Sequence, residues 1–161
     1  MRPGVRLAID WGDARIGVAA CDRDGVLAYP LTTVRASGTE IAELAALVIE
    51  HEPLEVLVGY PRSLNGTDGP AAHLARDRAR ALAAAVPVAV RLVDERLSTV
   101  TASRRLRASG KKAREQRGLI DAAAAVAILE QALAIEGARG NPPGELVSAT
   151  GSSDSHPAGP A

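Results

Sequence analysis

Three acidic side chains lie at positions where a charge is costly, and their placement points to a shared site. Asp10 and Glu95 each follow an apolar run that is typical of a buried strand, and Asp121 begins a helix face that is otherwise apolar. A carboxylate among apolar neighbours loses solvation energy unless a positive group meets it. If two strand ends and one helix start meet at one edge of a sheet, the three carboxylates repel and raise one another's pKa values.

A hard divalent cation removes that repulsion. Mg²⁺ or Mn²⁺ prefers oxygen ligands, and Mg²⁺ keeps coordination positions for water and for a substrate phosphate. The chemistry that such a site suits is hydrolysis of a phosphodiester bond, in which metal ions activate water and stabilise the leaving oxygen. We therefore take Asp10, Glu95 and Asp121 as candidate metal ligands and catalytic residues.

Each of these carboxylates also has a simpler interpretation. Asp10 can cap the turn at Gly12, and Glu95 can pair with Arg96 at a solvated strand end. Asp121 stands in the first turn of a helix, where the helix dipole stabilises an anion by roughly 0.3 to 1 kcal/mol. Because side chains alternate along a strand, only one of the neighbours Asp94 and Glu95 can share the site.

The formal net charge of zero conceals a basic block in the middle of the chain. Residues 91–117 carry 9 basic and 3 acidic groups, a net charge of +6. Such a block forms either a solvated face or a footprint for phosphates. The cations that flank the carboxylates are Arg96, Arg104, Arg105, Arg107, Lys111, Lys112 and Arg114.

The apolar periodicity predicts the elements that position these residues. Five short runs are typical of strands, and four stretches with helical period follow or alternate with them. We predict strands at 5–9, 16–20, 27–34, 56–59 and 87–93, and helices from a capping box at Ser37 and Glu40 to about Pro53, then at 71–85, 98–109 and 120–136. This order indicates an α/β fold with a mixed five-stranded sheet, antiparallel first and parallel later, flanked by helices. Residues 110–117 are predicted as a mobile basic loop.

Length and composition set the outer limits. The 161 residues suit one domain, which we place at 1–137. From residue 137 onward, 13 of 25 residues are Gly, Pro or Ser, so 138–161 is predicted as a disordered tail. The single cysteine, Cys21, excludes an internal disulfide and fits a reducing compartment. Because no apolar stretch approaches the length of a membrane span, we expect a cytoplasmic protein with no membrane partner.

Four motifs in order make the chain similar to the YqgF (RuvX) family. They are residues 10–19 (DWGDARIGVA), 58–61 with 65–67 (VGYP, NGT), 94–99 (DERLST), and 120–125 with 128–129 (IDAAAA, IL). The resemblance runs in register over residues 5 to about 135. It implies a ribonuclease H-like fold and one of two activities, resolution of Holliday junctions or maturation of the 5′ end of pre-16S rRNA.

Carried over by position, the family's acidic triad falls on Asp10, Glu95 and Asp121. Related resolvases of the RuvC type have a further acid one turn later, where this chain has Ala124, and Ala14 stands where the family more often has Lys or Arg. Nucleic-acid contacts are then expected from Arg15, Arg62, Arg96, Arg104, Lys111, Lys112 and Arg114.

Three alternatives stay open at this point. An actin-like ATP-binding fold shares the first motif but needs two such domains, and this chain has length for one. A nucleic-acid-binding module of the same fold would lack catalysis. Between the two activities we favour ribosomal RNA processing over junction resolution, because the absence of Phe and the charged outward positions of helix 71–85 argue for a monomer or weak homodimer, whereas symmetric junction cleavage needs a two-fold dimer.

Overall fold

The computed structural model describes residues 1–61, 69–95 and 113–149, with side chains in the last range from residue 122 onward. The elements are β1 (Arg6–Trp11), β2 (Arg15–Cys21), β3 (Ala28–Arg35), α1 (Glu40–His51), β4 (Glu55–Tyr60), α2 (Pro70–Ala85), β5 (Ala89–Asp94), α3 (Ala113–Arg139) and β6 (Glu145–Leu146).

One mixed sheet runs through the molecule, with strand order β3-β2-β1-β4-β5-β6. The first three strands form an antiparallel meander, and β1, β4 and β5 are mutually parallel. The carboxyl ends of β1, β4 and β5 therefore meet at one edge of the sheet, which we call the carboxyl edge, and β2 begins at this edge.

Helices cover both faces of the sheet. Leu7, Ile9 and Val58 belong to the core on the side of α1 and α2. Ala8, Leu57 and Val93 face α3 and pack against residues such as Ile128. Both the strands and α3 contribute alanines to this packing between sheet and helix, which lets α3 approach the strands closely. The core is therefore filled with few aromatic side chains.

At the opposite edge of the sheet, a buried ionic network joins the chain's first residues to α3. Glu136 is 2% exposed and accepts from Arg2 at 2.8 Å and from the buried Arg6 at 3.2 Å. The buried Glu55, at the start of β4, accepts from Arg2 and from Arg91 of β5, both at 2.9 Å. Each buried carboxylate is thus paired, as low-dielectric surroundings require.

The sheet has six strands, where the sequence predicted five. The additional strand β6 pairs antiparallel with β5, with Leu146 opposite Arg91 and Glu145 opposite Leu92. It lies inside the segment predicted as a disordered tail, so residues 138–149 extend the fold, and 150–161 lie outside the described residues. Composition could not reveal β6, because its two residues form a strand only by pairing with β5.

Two helix boundaries also differ from the prediction. Helix α3 begins at Ala113, so the loop expected over 110–117 is helical from residue 113. Arg, Glu and Gln at 114–117 are good helix formers, and the cost of about 1 kcal/mol for Gly118 does not stop the helix. Helix α1 begins at Glu40 after Thr39, two residues beyond the predicted cap at Ser37. The helix predicted at 98–109 lies outside the described residues.

Candidate active site at the carboxyl edge

Asp10 and Glu95 meet at the carboxyl edge, on the face of the sheet that α3 covers. Asp10 is the penultimate residue of β1, two residues after Ala8, and Glu95 follows β5, two residues after Val93. The backbone N–H of Glu95 donates to the carbonyl of Tyr60 at 3.1 Å, which holds Glu95 beside β4. The two carboxyl groups are joined by a side-chain hydrogen bond.

Gly59 makes room for this contact. It lies on β4, between the strands that carry the two acids, and a Cβ atom there would be 2.7 Å from Glu95 Oε2 and 2.5 Å from Ile128 Cδ1. Real Cβ atoms essentially never approach other atoms so closely. A side chain at position 59 would therefore displace Glu95 or the helix above it.

Burial dominates the electrostatics of Glu95 and raises its pKa. The hydrogen bond with Asp10 acts in the opposite direction, and the charge of Asp94 adds to the rise. Two carboxyl groups in hydrogen-bond contact need a proton or a cation between them, since two bare anions repel. A cation bound between Asp10 and Glu95 would take the place of such a proton.

The third predicted acid, Asp121, lies in α3, the helix packed on the face that carries Asp10 and Glu95. Its side chain is outside the described part of the helix, so its role stays a prediction. Ala124, where related resolvases have a further acid, is buried. Within the described ranges no group of three or more potential metal ligands is present.

Two of the predicted phosphate-binding cations lie in the described elements, and the others do not. Arg15 begins β2 at the carboxyl edge, and its carbonyl accepts from the N–H of Gly12 at 3.0 Å in a turn that leaves no space for a Cβ at position 12. Arg114 belongs to the helical backbone of α3. The remaining predicted cations lie outside the described residues: Arg62, Arg96, Arg104, Lys111 and Lys112.

Two arginines of α2 at the same edge were missed by the sequence analysis, which placed them on the outward surface. Arg78 lies over the ring of Trp11 with its Cζ 5.9 Å from the ring centre, and Arg76 lies over Tyr60 at 5.5 Å. A signal was present in the sequence. Arg78 stands three residues after Ala75 and four before Leu82, so it borders the apolar stripe of the helix.

The fold and the paired acids define the class to which the molecule belongs. Its architecture is that of a ribonuclease H-like nuclease, a mixed sheet flanked by helices with acidic residues at the carboxyl edge. The solved structure of RuvC from Thermus thermophilus in complex with a Holliday junction substrate superposes with a TM-score of 0.56 over 89% of this chain and 99% of that one. Their identity is 19%, so this similarity concerns the fold alone.

Residues 4–135 match the model of the RuvX family, described as Holliday junction resolvase, and the chain belongs to this family. A relative from Streptomyces coelicolor is 57% identical over 150 residues, covering 91% of this chain and 90% of its own. Another, from Thermobifida fusca, is 53% identical over 158 residues, covering 93% and 99%. Both carry the provisional name of pre-16S rRNA nuclease. In the ranges that the structure describes, no helix is long and apolar enough to cross a membrane.

Proposed function

We propose that this protein is a metal-dependent nuclease of the cytoplasm that processes the 5′ end of pre-16S rRNA. The observation that carries the proposal is the contact of Asp10 with Glu95 above Gly59. Two carboxyl groups placed together at a sheet edge suit a cation and the phosphate that it binds. The rRNA substrate is supported by relatives of that name that align with nearly the whole chain.

The residues present fit a divalent cation such as Mg²⁺ or Mn²⁺. Asp10 and Glu95 supply oxygen donors that already touch, and Asp121 on the overlying helix is the third proposed ligand. When bound, the metal ion would supply an activated water and stabilisation of the leaving oxygen. The protein's own contribution is to hold the two carboxyl groups in contact at the carboxyl edge.

Cations around this edge are proposed to bind the substrate backbone. Arg15 stands at the edge itself, and eight of the nine cations of the basic block follow Glu95 in the chain. Phosphate contacts of this kind position a strand without reading its sequence. We assign this role to Arg15, Arg62, Arg96, Arg104, Lys111, Lys112 and Arg114.

A cleavage assay with Mg²⁺ or Mn²⁺ tests the proposal, using a pre-16S rRNA fragment with its 5′ extension. Asp10→Asn keeps the size of the side chain and a hydrogen bond to Glu95 but removes a negative ligand. We expect cleavage to fall at least a hundredfold while RNA binding in EDTA persists. The control is Glu50→Gln on α1, whose side chain is 70% exposed. If purified wild-type protein binds the RNA without cutting it, a non-catalytic binding module is the better description.

The second candidate function is resolution of Holliday junctions, which the family's description favours. Symmetric cleavage of a four-way junction needs two sites related by a two-fold axis. We expect a mass in solution, measured at micromolar concentration, that corresponds to a monomer or a weak dimer. A stable dimer that nicks both strands of a four-way DNA junction and leaves the rRNA fragment intact would reverse the order of the two candidates.

A further inference from the structure

Arg78 is held in a defined position beside the candidate active site. Its guanidinium lies over the Trp11 ring at 5.9 Å, and its Nη1 donates to the carbonyl of Trp11 at 3.3 Å. A guanidinium over an indole face gains cation–π attraction, which favours this position of the side chain. The side chain is 24% exposed, so it is mostly covered by the protein but still reaches solvent.

Arg78 and the acid pair lie on the two sides of one sheet edge. Asp10 and Trp11 are consecutive residues of β1, with Cα atoms about 3.8 Å apart and side chains on opposite faces. Trp11 packs with the core on the side of α1 and α2, whereas Glu95 and Gly59 are on the side of α3. A strand of nucleic acid that crosses this edge to reach the acids therefore passes Arg78.

The present ion pair of Arg78 is one that a phosphate can replace. Its acidic partner, Asp13, lies at 3.4 Å and its side chain is 94% exposed. By contrast, Arg76 is engaged by both carboxylate oxygens of Glu145, at 2.7 and 3.1 Å. A phosphate makes stronger charge-assisted bonds to a guanidinium than a solvated carboxylate at the limit of contact does.

We propose that Arg78, oriented by Trp11, binds a backbone phosphate of the substrate strand next to the phosphate that is cleaved. This inference rests on the proposed function, which has the substrate strand run to the acid pair. Binding of a phosphate at Arg78 does not itself require cleavage. The ligand is the phosphodiester backbone, which RNA and DNA share. Asp13 pairs with the guanidinium in the free protein, and the phosphate replaces Asp13 when the substrate binds.

The test measures binding without divalent ions, so that loss of cleavage cannot imitate loss of binding. A labelled single-stranded RNA and a DNA of the same sequence are titrated in EDTA at several salt concentrations, with anisotropy as the readout. Arg78→Gln should weaken binding of both by about threefold to tenfold and lower the slope of log K against log salt by about 0.7, the value for one phosphate of a single strand. The matched control is Arg80→Gln on the same helix, where Arg80 pairs with Asp77.

Two further variants keep the test decisive if Arg78→Gln fails to fold. Asp13→Asn should tighten binding, because it removes the competing anion. Arg78→Lys keeps the charge and should retain most of the salt slope. If Arg78→Gln and Arg80→Gln bind alike, or if Asp13→Asn leaves the affinity unchanged, Arg78 is outside the footprint and the inference is wrong.

Trp11 provides an independent readout of location, since it is the single tryptophan of the chain. Bound RNA should shield its fluorescence from the neutral quencher acrylamide in the wild type and in the Arg80→Gln protein. Unchanged quenching at saturating RNA would show that the strand does not pass this edge. If DNA shields Trp11 and RNA does not, the phosphate site at Arg78 is supported but its substrate is DNA. That result would contradict the proposed function alone.

Discussion

The carboxylate of Glu95 occupies the space that a side chain at Gly59 would fill. A Cβ atom at position 59 would lie 2.7 Å from Glu95 Oε2, and on its other side 2.5 Å from Ile128 Cδ1. Because β4 separates the strands that carry Asp10 and Glu95, the two acids can touch only across a residue without a side chain. The candidate site therefore requires glycine at this position. The reason is space and not backbone conformation, because Gly59 is not among the residues with positive φ.

Gly59→Ala should reduce cleavage much more than it reduces stability. The added methyl group overpacks the layer between the sheet and α3, at a cost of about 1 to 3 kcal/mol in the free energy of unfolding. It also pushes Glu95 away from Asp10, which should lower cleavage at least tenfold in folded protein. Urea unfolding and the rRNA cleavage assay measure the two effects. Gly137→Ala in α3 is the control, because the nearest atom to its Cβ is Met1 Cε at 3.6 Å.

Glu95→Gln should stabilise the protein in the absence of metal. It should also abolish cleavage in the presence of Mg²⁺. Burial raises the pKa of Glu95, so the folded state binds a proton more tightly than the unfolded state does. Stability contributed by this group is then present below its unfolded pKa and is lost as the pH rises through the raised folded pKa. Glutamine resembles the protonated form and avoids that loss. Melting temperatures in EDTA at pH 5 and pH 8 should show a gain that is larger at pH 8.

In the same melting experiment, added Mg²⁺ separates the effect of Glu95 on stability from its proposed role as a metal ligand. Wild-type protein should gain stability with Mg²⁺ concentration, as any ligand of the native state requires. Glu95→Gln should gain little, because one anionic donor is missing. Equal gains in the two proteins would mean that Glu95 does not bind the cation.

Glu136→Gln should destabilise the fold without touching the carboxyl edge. The hydrogen bonds from Arg2 lower the pKa of Glu136 to about 2. Its stabilising contribution is therefore present above the unfolded pKa of about 4.3 and is lost as the pH falls towards 2. Removing the charge leaves the buried Arg6 uncompensated, at a cost of about 3 to 5 kcal/mol. Urea unfolding at pH 7 should show this loss, and the difference from wild type should shrink at pH 3. The exposed Glu130, changed to Gln, should cost much less.

Replacing Lys111, Lys112 and Arg114 together by Ala should weaken binding to all sequences alike. If each cation meets one phosphate, the slope of log K against log salt for single-stranded RNA should fall by about 2. Anisotropy titrations between 50 and 200 mM salt measure it. Arg139→Ala, at the exposed far end of α3, serves as the control and should leave the slope unchanged. A triple variant with the wild-type slope would exclude this segment from the footprint.

Several features of the protein followed from the sequence by itself. The strands β1 to β5 and the helices α1 and α2 were predicted within a few residues, because apolar periodicity is a local property that the chain expresses wherever it packs. Asp10 and Glu95 could be selected as partners because each ends an apolar run, and parallel strands bring such ends to one edge. The family followed from four motifs in order, and residues 4–135 match its model.

Other features were decided only by the tertiary structure. Strand β6 exists through its pairing with β5, and Arg78 became part of the edge because α2 lies over Trp11, 67 residues earlier in the chain. The choice of Glu95 over Asp94 depends on which face of β5 meets Asp10 and on the space above Gly59. Such contacts join residues far apart in the sequence, and their free energy depends on distances and burial that no local pattern contains. Charged side chains in particular look alike in sequence whether they meet water, an aromatic ring or one another.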